Sequence, residues 1–246
     1  AGVGTFPITY TFTDANTCTD SATQNQVVDP LPTVSFSTIS DLCANSSPIT
    51  LSQGSPAGGT YSGTGVSGGQ FNPSTSGVGT FTLTYSFTDG NGCSDDATQT
   101  VTVDTIPSVS LGAISSLCAG SSAITLTQGS PSGGTYFGSG VTGTSFNPAS
   151  AGAGTTQIGY TFVDGNSCTD TAFTNVTINA QPNVTLSALS SVCVDASSFT
   201  LSGGSPAGGT YSGTGVTGGT TFNPGTAGVG SFTITYTYTD ANTCTD

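Results

Sequence analysis

Six residue types are missing from this chain: Lys, Arg, His, Glu, Met and Trp. The first three absences leave no cationic side chain against 13 acidic ones, all Asp, and a formal net charge of −13. Nucleic-acid binding depends on Lys and Arg that neutralise phosphates, so nucleic acid is excluded as a partner. Adsorption to anionic lipid headgroups fails for the same reason. Catalysis loses most of its tools. Asp is the only ordinary general base, no cation can meet an oxyanion, and a Ser or Cys nucleophile has no His to activate it. The chain therefore reads as a non-enzyme with no catalytic residue. Without Lys, the Lys–Asn isopeptide bonds that reinforce some β-sandwiches are excluded. Without His, and with no C-x-x-C pair, a zinc site is disfavoured. The straight-chain helix formers Met, Lys, Arg and Glu are gone, so almost no helix is expected. No apolar run reaches the roughly 18 residues of a membrane-spanning helix, so no membrane insertion is expected. A chain without Met is expected to be a processed product or an excerpt.

What remains is rich in turn and strand formers. Gly contributes 36 residues, Phe 13 and Tyr 8, with abundant Thr and Ser. The aromatic and β-branched residues recur at fixed spacing, which argues against disorder. Ser55-Pro-Ala-Gly-Gly-Thr-Tyr61-Ser-Gly-Thr-Gly-Val66 returns with small changes at Ser130–Val141 and Ser205–Val216, and Phe71-Asn-Pro73 returns at Phe146 and Phe222. The cysteines keep the same period in two series: Cys43, Cys118, Cys193, and Cys18, Cys93, Cys168, Cys244. A period of about 75 residues suits a small self-contained domain better than a solenoid coil. We read modules at 30–104, 105–179 and 180–246, preceded at 1–29 by the last two strands of another. Residues 1–20 nearly repeat residues 227–246. The expectation is a window on a longer periodic chain, with the last strand of module 180–246 lying beyond residue 246 or coming from a neighbour.

Within 30–104, alternation marks strands at Val34–Phe36, Ile49–Leu51, Thr60–Ser62, Gln70–Asn72, Phe81–Phe87 and Gln99–Val103, with a minor one near Val66. Asp89-Gly-Asn-Gly92 signals a hairpin. Six or seven short strands in so short a module predict an all-β fold: tandem small immunoglobulin-like β-sandwiches in a linear rod. The inward residues are expected to be Ile49, Leu51, Tyr61, Phe71, Phe81, Leu83, Tyr85, Phe87, Val101 and Val103. Proline in the short links (Pro30, Pro32, Pro107 and Pro182) stiffens the junctions.

Regularly placed cysteines in such a chain point to disulfides and an oxidising, extracellular setting. Cys43 precedes the second strand and Cys93 follows the last hairpin turn. If those loops lie at opposite ends of a module, bridges must cross modules, as Cys43–Cys168 and Cys118–Cys244. If the module has one strand fewer between them, the intramodule pairs Cys43–Cys93, Cys118–Cys168 and Cys193–Cys244 follow. The sequence leaves both open. The hairpin pattern Asp-x-Asn-x-Cys-x-Asp places Asp89, Asn91 and Asp95, and again Asp164, Asn166 and Asp170, at alternating positions. That spacing resembles the start of a calcium loop. It equally suits the tight turn that Asp and Asn favour. No cofactor is expected, with calcium the alternative. Alternating Thr9, Thr11 and Thr13 would suit an ice-binding face; ordinary strand exteriors are the plainer reading.

The string LCANSSPITL, GSPAGGTYSGTGV, FNP and GVGTFTLTYSFTDGNGCSDDATQTVTV resembles the Ig-like or PKD-like repeats of very large Bacteroidetes surface proteins. These are type IX secretion cargo that includes SprB-like gliding adhesins. The resemblance covers nearly all of the chain. It implies a segment of an extracellular, cell-surface adhesin or filament, acting as a stalk, and implies no catalytic residues. Partners would then be neighbouring modules and other copies in a fibre; a tip ligand has no signature here. Direct glycan or surface binding is the rival, disfavoured by the lack of Trp, of cations and of any module-specific aromatic patch. Asp20-Ser21-Ala22, Asp104-Thr105-Ile106 and Asp170-Thr171-Ala172 are similar to the Bacteroidetes O-glycosylation pattern, making Ser21, Thr105 and Thr171 candidate acceptors.

Overall fold

Alternating apolar and hydroxyl side chains form strands almost wherever they occur. In the computed structural model, which describes residues 2–246, β1 (Gly4–Thr13) and β2 (Thr19–Val28) form an antiparallel hairpin. Short strands follow: β3 (Ser35–Phe36), β4 (Leu42–Cys43), β5 (Ile49–Thr50), β6 (Gly54–Ser55), β7 (Thr60–Ser62), β8 (Val66–Ser67) and β9 (Gln70–Phe71). The long hairpin β10 (Gly79–Thr88) and β11 (Ser94–Asp104) closes segment 30–104. One sheet has the order β4-β11-β10-β7, a second is β5-β9-β8, and β3 pairs with β6. Segment 105–179 repeats this set, with the hairpin Gly154–Val163 and Thr169–Asn179 in the place of β10 and β11. The fold is all-β.

The chain divides into two compact units: Ala1–Pro107 with the turn Asp164–Cys168, and Ser108–Val163 with Thr169–Asp246. The first unit packs Phe36, Ile39, Leu51, Phe71, Leu83, Tyr85, Val101 and Val103 into one core. Ile49, Tyr61, Phe81 and Phe87, expected inside, sit half-buried against it, because such small sheets place much of their inner face at a rim. The second unit holds an equivalent core around Phe146, Ile158, Tyr160, Val176 and Ile178, and a smaller one around Leu201, Tyr211 and Tyr236.

The recurring Phe-Asn-Pro triplet has a local cause. Phe71 is fully buried, and Asn72 caps a single helical turn, α1 (Pro73–Ser76), by accepting from the Ser74 N–H at 3.1 Å. Pro73 takes the first helical position, where its missing N–H costs nothing. Asn147 and Asn223 cap the turns Pro148–Ala151 and Pro224–Ala227 in the same way.

Candidate functional site: cysteine bridges and clasped turns

Cys43 does not sit in a free loop. It lies on β4, which runs parallel to the end of β11, with Cys43 opposite Asp104. Cys93 flanks the other end of β11, eleven residues from Asp104, or roughly 36 Å at the strand rise of about 3.3 Å per residue. No bridge can span that distance. Of the two pairings left open by the sequence, the structure forms Cys43–Cys168 and Cys118–Cys244, each with a Cα–Cα distance of 5.5 Å. The intramodule pairs Cys43–Cys93, Cys118–Cys168 and Cys193–Cys244 are not formed. Cys18, Cys93 and Cys193 are free thiols. Each bridge joins a cysteine of one sequence period to the hairpin-turn cysteine of the next, at separations of 125 and 126 residues. Cys168 and Cys244 are fully buried. Partial burial holds the Cys93 thiol above the ordinary range, with the carboxylates of Asp89 and Asp29 adding to it.

The Asp-x-Asn-x-Cys turns are built by their first carboxylate. Asp89 Oδ1 accepts from the backbone N–H of Asn91 and of Cys93, both at 2.9 Å. Asp164 does the same for Asn166 and Cys168, as Asp14 and Asp240 do in the other two turns. The oxygen that a calcium loop would aim at its ion therefore organises the turn. Asp95 and Asp170 lie on the following strands, opposite Phe87 and Phe162. Among the described residues, no three acidic, thiol or imidazole side chains gather where a metal ion would sit.

Of the candidate glycan acceptors, Ser21 and Thr105 are exposed. Thr171 is half-buried, and its hydroxyl is 2.9 Å from that of Thr161. Thr9 and Thr13 pair their hydroxyls with Thr23 and Thr19 across the hairpin.

Two features escape sequence reading. The first explains the Gly-Ser-Pro-x-Gly-Gly-Thr-Tyr string. The buried Tyr85 hydroxyl accepts from the Gly59 N–H at 2.8 Å and donates to the Pro56 carbonyl, while the Tyr61 hydroxyl accepts from the Gly54 N–H at 2.7 Å. The two rings stand 4.7 Å apart. Tyr136 with Tyr160, and Tyr211 with Tyr236, repeat this clasp. Gly54 is required because a Cβ there would lie 2.5 Å from the Tyr85 ring. The first tyrosine is announced by its place in the string. The second is 26 residues beyond its glycine partner and is found only when the sheet forms.

The second feature corrects the expectation of no module-specific aromatic patch. Phe137 and Phe173 meet edge to face at 5.8 Å on the surface, 44% and 54% exposed. The Phe137 ring covers Gly159, where a Cβ would be only 2.1 Å away. The positions equivalent by sequence in 30–104 are Ser62, Thr98 and Thr84.

Core, clasps and bridges together define an all-β protein cross-linked by disulfides. No protein-family model matches the chain, and no curated protein does. Among solved structures it is similar to a Ca2+-stabilized adhesin that helps an Antarctic bacterium reach out and bind ice. That likeness has 18% identity and a TM-score of 0.34, over 98% of this chain and 79% of that one. It is also similar to an endo-fucoidan hydrolase from glycoside hydrolase family 107, at 11% identity and a TM-score of 0.26, over 74% of this chain and 35% of that one.

Proposed function

We propose that this chain is a structural stalk segment of an extracellular, cell-surface adhesin or fibre, with no catalytic role. The modules 30–104, 105–179 and 180–246 are its repeating units, coupled to one another by the bridges. The observation that carries the reading is the pair of overlapping bridges, Cys43–Cys168 and Cys118–Cys244. Under tension applied at the two ends, force passes along 1–43, crosses to Cys168, runs back to Cys118, crosses to Cys244 and leaves at 246. Residues 44–117 and 169–243 carry none of it. Disulfides of this kind also suit an oxidising compartment outside the cytosol. The resemblance to type IX secretion cargo of Bacteroidetes, gliding adhesins included, belongs to the same reading. Calcium is not required by it.

Single-molecule stretching tests the proposal. A fully extended chain spans at most about 3.5 Å per residue, so the oxidised protein should reach roughly 330 Å and the reduced protein roughly 850 Å. Equal contour lengths in both states would overturn it.

The exposed Phe137–Phe173 pair favours a second reading, direct glycan or surface binding, since exposed aromatics stack on apolar faces. Saturable glycan binding that is abolished by Phe137→Ser with Phe173→Thr would support it. Binding unchanged by that double variant would exclude this patch.

A further inference from the structure

The outer face of the sheet in segment 105–179 departs from its counterpart in 30–104, while the inner face does not. Leu83, Tyr85 and Val101 correspond to Ile158, Tyr160 and Val176, all 0–1% exposed. On the outer face, Phe137, Gly159 and Phe173 stand opposite one another across the strands Thr135–Gly138, Gly154–Val163 and Thr169–Asn179. One row along, about 6.7 Å away at the strand rise, Gln157 faces Asn175. One row the other way, Thr161 faces Thr171. In 30–104 the first two of these rows are entirely Ser and Thr, and Asp96 takes the place of Thr171.

Core packing calls for none of these differences. Glycine weakens a strand interior, and it often marks a place where a ligand comes close. Here Gly159 lets the Phe137 ring lie across the middle strand and meet Phe173 edge to face. The side-chain amides of Gln157 and Asn175 are exposed and make no hydrogen bond to the described residues, so their donors and acceptors are free.

Size and charge decide the occupant. The two rings together expose about one whole phenylalanine side chain, roughly 200 Å². A specific protein interface buries about 800 Å² a side, more than half of it apolar, so the pair is too small to seat a protein. It matches a sugar ring, whose flat C–H face stacks on an aromatic ring and whose rim of hydroxyls needs hydrogen-bond partners. No carboxylate stands in the three rows, although the chain carries 13. No cation is present anywhere to pair with the carboxylate or sulfate of an acidic glycan, and the net charge of −13 repels such a ligand.

We propose that this face of segment 105–179 binds a neutral glycan, with a sugar ring seated on Phe137 and Phe173 and its hydroxyls met by the amides of Gln157 and Asn175. The proposal rests on the second reading above and gives it a ligand class and the residues that select it. Since no charge takes part, the affinity is the same at low and high NaCl.

Isothermal titration calorimetry of the intact oxidised chain tests it, with cellohexaose, xylohexaose and mannohexaose as neutral probes and hexagalacturonate as the acidic one. At least one neutral probe should bind saturably at one site per chain, and the acidic probe about tenfold more weakly or not at all. Gln157→Thr with Asn175→Thr puts the residues of 30–104 at two exposed positions, so the fold stands and binding should weaken about tenfold. Phe137→Ser with Phe173→Thr should abolish it, and thermal unfolding of both variants separates a lost contact from a lost fold. Binding that the amide pair leaves unchanged would overturn the proposal. So would a dimer that forms through the same two rings, which would make a second copy the occupant. Hexagalacturonate bound as tightly as the neutral probes, and lost with the Phe pair, would overturn it while the second reading survives. No glycan bound at all would sink it together with the glycan form of that reading.

Discussion

At the scale of single residues, the tyrosine clasp ties the repeated string to the core. Tyr85 is 1% exposed, and its hydroxyl is the partner of one backbone donor and one backbone acceptor. Tyr85→Phe keeps the ring but leaves the Gly59 N–H and the Pro56 carbonyl without partners, at about 1–3 kcal/mol for a buried unsatisfied group. Urea denaturation should show that loss with an unchanged slope. Gly54→Ala should cost more, because the new methyl group meets the Tyr85 ring itself rather than a flexible side-chain end. The free thiols allow a different check. Cys18 and Cys193 are exposed and should react first with a maleimide, with Cys93 slower. Burial and two nearby carboxylates raise the Cys93 thiol pKa, so its thiolate fraction at neutral pH is reduced. Its labelling rate should therefore keep rising with pH past the ordinary thiol range. A rate already level there would contradict the shift.

At the scale of elements, the bridges depend on which end of a strand each cysteine occupies. Cys43→Ser should lower stability by about 2–4 kcal/mol, the usual worth of a disulfide closing a long loop. Cys93→Ser should change it by less than about 0.5 kcal/mol, being a half-exposed site with no bridge. Guanidinium denaturation under non-reducing conditions separates the two, and dithiothreitol should erase the difference. This element level also marks how far the sequence could be read. The hairpins β10–β11 and β1–β2 follow from local alternation and from Asp-x-Asn turns, so the strands expected at Phe81–Phe87 and Gln99–Val103 appear there, lengthened at their ends. β4 is two residues long and parallel to a strand sixty residues away, a pairing that no local pattern announces. That pairing fixes Cys43 at the far end of β11, which is why the sequence alone left two disulfide schemes open. The clasp escaped for the same reason: Tyr85 reads as one more core aromatic until the turn at Pro56 comes down upon its hydroxyl.

At the scale of the whole molecule, charge acts almost without compensation. There are 13 carboxylates and no cationic side chain, so every pairwise term between charged side chains is repulsive. Two like charges about 8 Å apart in water repel by roughly 0.5 kcal/mol, and many such pairs weaken a compact state together. Screening should relieve this. The Debye length falls from about 10 Å at 0.1 M to about 3 Å at 1 M, so Tm should climb with NaCl and then level off. Each kcal/mol relieved is worth about 2–4 °C in a chain of this size. A Tm that is flat or falling with NaCl would show that the charges are too far apart to matter. The same titration examines the Asp-x-Asn turns. Their first carboxylate already serves two backbone N–H groups, so CaCl2 at matched ionic strength should raise Tm no more than NaCl does, and EDTA should leave it unchanged. A saturable rise at low CaCl2, reversed by EDTA, would mean instead that those turns bind calcium and that cations replace the missing positive side chains.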